Sequence, residues 1–203
     1  MLEVEKKFAI SAIGPLIDAL GHHGFCLQSD VRHADQYFNH PCKDFAESGE
    51  AFRIRRVDGA GLVTYKGPRR SGSAKIRLED EWQLGGEDES GDRLEALLNT
   101  LGFRPQVVVQ KRRRTFVPLE SEPRVDADGM LSADGILSAG GLSVCVDEVE
   151  DLGDFVEIEA LVRSESPEAT LVATERIENL ADRLGLTNVE TRSYLTQLIG
   201  KRG

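Results

Sequence analysis

The chain has 203 residues, of which 35 are acidic and 25 basic, giving a net charge of −10. That length suffices for one domain with a proper core, and so acidic a protein is excluded from broad electrostatic attraction to nucleic acid or anionic membrane, both of which favour basic surfaces. Cys26, Cys42 and Cys145 lack a Cys-x-x-Cys spacing and no apolar run approaches the length that spans a bilayer, so a cytoplasmic protein without zinc site, disulfide framework or membrane segment is expected.

In chain order, a strand is expected at about 2–10 and a helix at about 11–21, with Ser11 as N-cap and Gly21 past its end. Strands follow at about 27–39, 50–58, 61–67 and 74–84, with Asp58-Gly59-Ala60-Gly61 as the clearest hairpin turn. A helix at about 90–101 and a strand at about 105–117 come next. Residues 118–141 read as a loop insertion, in which Ala127-Asp128-Gly129-Met130-Leu131-Ser132 is nearly repeated as Ala133-Asp134-Gly135-Ile136-Leu137-Ser138. Asp126 and Asp128 lack the EF-hand spacing and its closing Glu, so the loop is not read as a calcium site. Strands at about 142–149 and 154–163 precede helices at about 167–184 and 189–199. In the first of these, Leu171, Val172, Ile177, Leu180, Ala181 and Leu184 form a stripe that packs outside the sheet.

Side chains alternate faces along a strand, and here the alternation puts charge where a core belongs. Glu3, Glu5 and Lys7 share one face of the first strand. Arg53 and Arg55 oppose Phe52 and Ile54; Glu79 and Glu81 extend the face of Lys75 and Arg77, opposite Ile76, Leu78, Trp82 and Leu84; Glu157 and Glu159 oppose Val156 and Ile158. Thr64 with Lys66, Lys111 with Arg113, and Asp147 with Cys145 repeat the split. One strand alone could wear such a face toward water, but seven together weaken that reading, and a closed barrel with a charged lumen has to be wet or occupied by ions. Arginine and lysine forks match phosphate oxygens, and clustered carboxylates supply hard oxygen ligands for Mg²⁺ or Mn²⁺. His22, His23, His33 and His40 read as surface or turn residues rather than bases.

In this order, Glu3-x-Glu5-x-Lys7, Asp35-Gln36-Tyr37-Phe38, Phe52-Arg53-Ile54-Arg55, Thr64-Tyr65-Lys66-Gly67-Pro68, Arg77-x-Glu79-x-Glu81, Lys111-x-Arg113, Asp147 and Glu157-x-Glu159 resemble the CYTH superfamily of triphosphate tunnel metalloenzymes across nearly the whole chain. Tyr37-Phe38-Asn39-His40-Pro41, Glu50-Ala51-Phe52-Arg53-Ile54-Arg55 and Arg192-Ser193-Tyr194-Leu195 look like its class IV adenylyl cyclase branch. Asn39, where an acidic residue is frequent, and the long loop before Leu142 depart from the pattern.

The resemblance implies an α+β chain over 1–203 forming one CYTH-like domain, an eight-stranded antiparallel barrel with helices outside. It implies triphosphate binding by Lys7, Arg53, Arg55, Lys66, Arg77, Lys111 and Arg113, and Mg²⁺ or Mn²⁺ ligation by Glu3, Glu5, Asp147, Glu157 and Glu159. Glu79 and Glu81 either bind metal or orient the basic residues. Glu5, Tyr37, Lys66, Glu157 and Glu159 are the candidate catalytic groups. The leading expectation is ATP cyclisation to cyclic AMP and pyrophosphate. The alternative is hydrolysis of inorganic, thiamine or nucleoside triphosphate, with Tyr37 and Lys66 paired and Lys66 lowered in pKa by burial; a non-catalytic polyphosphate or nucleotide sensor ranks third. The expected partner is the triphosphate, with a homodimer as a possible assembly and neither nucleic acid nor membrane.

Overall fold

The computed structural model describes residues 2–68, 75–119, 142–162 and 166–202. The six-residue repeat, with Asp126 and Asp128, and the side chains of Lys75 and Arg77 lie outside the described residues.

Eight antiparallel strands close on themselves in the order β1-β5-β4-β3-β2-β6-β7-β8. They are β1 (Leu2–Ile10), β2 (Phe25–Asn39), β3 (Ala51–Val57), β4 (Ala60–Lys66), β5 (Lys75–Gln83), β6 (Arg104–Pro118), β7 (Leu142–Val149) and β8 (Gly153–Val162). Closure removes the open edges that would otherwise invite aggregation. The hairpin between β3 and β4 is the two-residue turn Asp58-Gly59, both at positive φ (49° and 88°), a backbone that Gly adopts without strain and Asp tolerates. The helices are α1 (Ile13–His22), α2 (Phe45–Ser48), α3 (Asp92–Thr100), α4 (Pro167–Arg183) and α5 (Tyr194–Arg202).

The main core lies outside the barrel. Val4, Phe8, Val144, Val146, Val156 and Ile158 occupy the outward positions of β1, β7 and β8 and pack on Leu16 and Leu20 of α1 and on Ala173, Ile177 and Leu180 of α4. Ser166 starts α4 by accepting from the amide of Ala169, with Pro167 in the first turn, where its missing N–H costs nothing. Ile177 is fully buried, a contribution of about 2 kcal/mol from its side chain. Phe38 and Ile54 pack on Leu98 of α3 over the outward face of β2 and β3. A separate cluster of Tyr37, Val107, Val109, Val149 and Phe155 with Tyr194 and Leu198 sits at one end of the barrel, so α5 stops that end.

Several expectations change. Ser11 does not cap α1, whose N-cap position is Ala12 without a side-chain bond. Leu171 is 59 % exposed, its place in the α4 stripe being taken by Ala169 and Ala173. The apolar face of β5, which would be expected to pack on the helices, is left partly open, with Leu78 and Trp82 42 % and 50 % exposed. The last helix starts at Tyr194 rather than 189, because the preceding residues are used as an added strand edge: Ala9 donates to the carbonyl of Asn188 and Glu190 to that of Lys7. His33 is buried, not a surface residue.

Candidate active site

Antiparallel register decides which charges meet inside. β1 and β8 pair so that Glu5 lies opposite Glu159 and Lys7 opposite Glu157. Glu3, Glu5 and Glu159 bring carboxylate oxygens within 4.8 Å of one another. Burial pushes the Glu159 carboxyl up; Arg113 opposes this, Glu3, Glu157 and Glu5 add to it, and the result is about 8. Glu3 is also raised, by burial first, against the attraction of Lys66. Crowded carboxylates with hard oxygens are what a divalent cation neutralises, so this donor set fits Mg²⁺ or Mn²⁺.

The cations occupy the same faces. Arg53 donates to Asp35 Oδ2 at 3.1 Å and to the Tyr37 hydroxyl at 3.1 Å, and Arg55 grips Asp35 with two bonds of 2.7 and 2.8 Å. Burial raises the Asp35 pKa, but the two guanidiniums outweigh it and hold the carboxyl well below its ordinary range. Lys66 lies between Glu3, at 2.8 Å, and Glu79, at 2.6 Å. Burial alone would lower the Lys66 pKa, yet the attraction of Glu3 and Glu79 outweighs it and raises the group. The lowered lysine expected for proton transfer is therefore not found: this ammonium stays charged. Arg113 bonds Asp147 at 2.7 and 2.6 Å, reaches Glu159 at 3.3 Å and pairs with Glu157.

Of the expected site residues, all but Asp147 and Arg77 line one cavity of 360 Å³. Arg77 stands opposite Glu3 in the β1–β5 register, its side chain being outside the described residues. Asp147 is fully buried behind the cavity wall, where it accepts from Lys111, Arg113 and Tyr194. Those three donors make it an anchor for Lys111 and Arg113. Glu81 is exposed at the rim and accepts from Thr64 at 2.9 Å, whereas Glu79 belongs to the Lys66 pair.

Two further residues complete the site. Asp35 sets both arginines of β3, and its position directly opposite Arg55 in the β2–β3 register carries the signal. Tyr194 enters from α5, its hydroxyl donating to Asp147 at 2.9 Å and its ring beneath Lys7 Nζ at 4.0 Å and Lys111 Nζ at 5.2 Å. Lys7 Nζ also donates to the Arg192 carbonyl at 2.6 Å. No sequence periodicity links Tyr194 to β1; only the motif around Arg192-Ser193-Tyr194-Leu195 marks it.

The CYTH domain profile matches residues 1–194. A protein of Methanocaldococcus jannaschii provisionally named an adenylate cyclase is 30 % identical over 96 % of this chain and 97 % of its own length. Adenylate cyclase CyaB of Aeromonas hydrophila is 26 % identical over 96 % of this chain and 87 % of its own. Among solved structures, a Pyrococcus horikoshii protein superposes with a TM-score of 0.78 at 33 % identity, covering 98 % of this chain and 99 % of its own. A Hippeastrum protein described as having a dominant triphosphatase activity shares the fold, with a TM-score of 0.61 at 14 % identity over 98 % of this chain and 95 % of its own. Matched by the profile and at 30 % identity along nearly its full length, the chain belongs to the CYTH family.

Proposed function

We propose that this chain is a class IV-type adenylyl cyclase, converting ATP to cyclic AMP and pyrophosphate with Mg²⁺ or Mn²⁺. The observation that carries the reading is the Glu3, Glu5 and Glu159 cluster standing in one cavity with Arg53, Arg55, Lys66, Lys111 and Arg113. In the reaction the ribose 3′-hydroxyl gives its proton up to solvent as its oxygen attacks the α-phosphorus in line, the bond from that phosphorus to the oxygen bridging it to the β-phosphorus breaks, and pyrophosphate leaves with that electron pair. A divalent ion at the carboxylate cluster would supply acidification of the 3′-hydroxyl and neutralisation of phosphate charge.

Glu3, Glu5 and Glu159 would hold the ion, with Glu157 beside them. The chain's cations bind and orient the polyphosphate. Arg53, Arg55, Lys111 and Arg113 line the cavity and are already held by Asp35 and Asp147, and preorganised cations act most strongly where charge builds on the leaving group. Lys66, kept charged by Glu3 and Glu79, serves as a phosphate contact. Tyr37 holds Arg53 through its hydroxyl and acts as a positioning residue. The free thiols of Cys26, Cys42 and Cys145 suit a cytoplasmic setting.

A second reading, triphosphate hydrolysis, draws support from the Hippeastrum relative of the same fold, since both reactions need the same metal and phosphate shell. The raised pKa of Lys66 counts against a lysine base for it. Purified protein with Mg²⁺ or Mn²⁺ is to be assayed against ATP, thiamine triphosphate and tripolyphosphate, resolving cyclic AMP, pyrophosphate and phosphate. Cyclic AMP and pyrophosphate in equal amounts are expected; phosphate without cyclic AMP selects the hydrolase.

A further inference from the structure

The face that β2, β6, β7 and β8 turn away from the cavity carries a charge pattern that a single molecule leaves unmatched. Lys111 and Arg113 line the cavity and Asp147 is buried behind its wall, so alternation turns Arg112 and Glu148 outward. The register sets Arg32 of β2 opposite Arg112 of β6, Arg112 opposite Glu148 of β7, and Glu148 opposite Asp154 of β8. Residues directly opposite share a face, so four neighbouring strands present one outward row, Arg32, Arg112, Glu148, Asp154, that spans three strand spacings, or about 14 Å. Its signs run plus, plus, minus, minus. Within one molecule that order is unfavourable, because like charges stand opposite at both outer pairs and only the central pair is of opposite sign. Arg112 is compensated by Asp30, at 2.8 and 2.7 Å, and lies 3.6 Å from Glu148. The side chains of Arg32 and Asp154, at the two ends of the row, make no hydrogen bond or salt bridge with a described residue, and neither does that of Glu150.

The row is also accessible. The core shared with α1 and α4 reaches Val146 of β7 and Val156 of β8, and Glu148 and Asp154 are the next outward positions beyond it. Arg32 and Arg112 are exposed, and a groove of 400 Å³ follows the row with Gln110 and Glu150 beside it. We infer that this face docks a second copy of the chain about a two-fold axis passing between Arg112 and Glu148. A two-fold normal to the face reverses the row, so that Arg32 lies against Asp154 of the second copy and Arg112 against Glu148 of the second copy, each contact occurring twice. The order of signs that costs the single molecule is the order that matches itself. An acidic partner would oppose Glu148, Glu150 and Asp154, and a basic one would oppose Arg32 and Arg112, so charge complementarity favours the self-matching occupant. Each copy carries a net charge of −10, which repels at a distance; at about 0.15 M salt the screening length is about 8 Å, so that repulsion is damped while the contacts persist. Two convex barrel walls meet over a small area, and the dimer dissociates at about 1–100 µM. The contact does not rest on the proposed reaction, although it grips the backs of the strands that carry Lys111, Arg113 and Asp147.

Sedimentation velocity of the full chain over about 1–100 µM in about 0.15 M salt tests this. A monomer–dimer equilibrium is expected, and about 1 M salt is expected to raise its Kd about fivefold or more. Arg32→Glu and Asp154→Arg each turn two attractive contacts into repulsive ones, so each variant alone is expected to raise the dimer Kd about tenfold or more. Mixed one to one, the two variants regain both contacts, and the mixture is expected to dimerise with a Kd within about threefold of wild type. Thermal melts identify a variant that misfolds, and rescue on mixing requires that both are folded. A monomer at every concentration overturns the inference and leaves the groove to another molecule. A dimer whose Kd neither variant moves places the interface on a different face, and losses that mixing does not restore remove the pairing of Arg32 with Asp154; either result overturns the assignment.

Discussion

Glu5 and Glu159 face each other across the β1–β8 seam with Glu3 beside them, and like charges held this close cost stability until a cation joins them. Glu5→Gln and Glu159→Gln each remove one charge from the cluster, so each is expected to lower Mg²⁺-dependent turnover by about 100-fold or more while leaving the melting temperature equal or higher. Steady-state kinetics beside thermal melts check this; wild-type turnover with an unchanged Mg²⁺ requirement would place the metal elsewhere. These glutamates are legible in the sequence because period two puts them on one face whatever the partner strand. His33 is not, since a lone histidine carries no periodic signal. It is buried in the lumen wall with its Nδ1 unpartnered. Burial lowers its pKa to about 3, with Arg55 and Lys111 adding to the effect and Asp35 opposing it. Between the ordinary value of 6.5 and about 3 the unfolded chain therefore binds more protons than the folded one, and the His33 contribution to stability is lost as pH falls through that window. His33→Gln is expected to flatten the fall in melting temperature between about pH 6.5 and 4.5 by about 3–6 °C, equivalent to about 1–2 kcal/mol. Identical slopes for the two proteins would mean that His33 titrates normally.

α5 acts on the site as a unit, because the short edge contact of residues 188–190 with β1 aims it into the end of the barrel. Its first residue, Tyr194, combines two actions that substitution separates. The hydroxyl fixes Asp147, which fixes Lys111 and Arg113; the ring lies under Lys7 and Lys111. A partly desolvated cation–π contact is worth about 1–2 kcal/mol, or about tenfold in binding. Tyr194→Phe keeps the ring and is expected to raise the KM for triphosphate about threefold, whereas Tyr194→Ala raises it about tenfold or more with a smaller change in kcat. Equal effects of the two variants would mean that only the hydroxyl matters, and a fall confined to kcat would remove the ring from substrate binding. Strand existence and inward faces were readable here for a local reason: alternation is written into each strand separately. What covers an outward face is not local. The apolar positions of β5 alternate as cleanly as those of β8, yet Leu78 and Trp82 stay 42 % and 50 % exposed while Val156 and Ile158 are fully buried in the core shared with α4. The start of α5 was unreadable for the same reason, since residues 188–190 are committed to an edge of β1 far away in the chain.

Across the whole molecule, an acidic chain encloses cations and anions that satisfy one another in the absence of ligand. Asp35 with Arg53 and Arg55, Glu3 and Glu79 with Lys66, and Asp147 with Lys111 and Arg113 are each drawn from two or more strands, so the charge network ties the barrel together. Buried pairs of this kind recover their desolvation cost only in part. The Glu3, Glu5 and Glu159 corner is the exception within the network, where anions crowd without full compensation. Polyphosphate added alone meets the cations but brings more negative charge toward that corner; Mg²⁺ added alone relieves the corner but repels the nearby arginines. Together each removes the obstacle to the other, so their binding is positively coupled. A ligand at 100-fold above its Kd stabilises a fold by about 2.7 kcal/mol, which for a chain of this size is about 5–10 °C. Tripolyphosphate with Mg²⁺ is therefore expected to raise the melting temperature by more than the sum of the two separate shifts, and Glu5→Gln with Glu159→Gln is expected to abolish the excess while retaining the tripolyphosphate shift. Differential scanning fluorimetry over a grid of the two concentrations reads the coupling directly. Simple additivity would show that metal and phosphate do not share the cavity, and the carboxylate corner would then need another occupant.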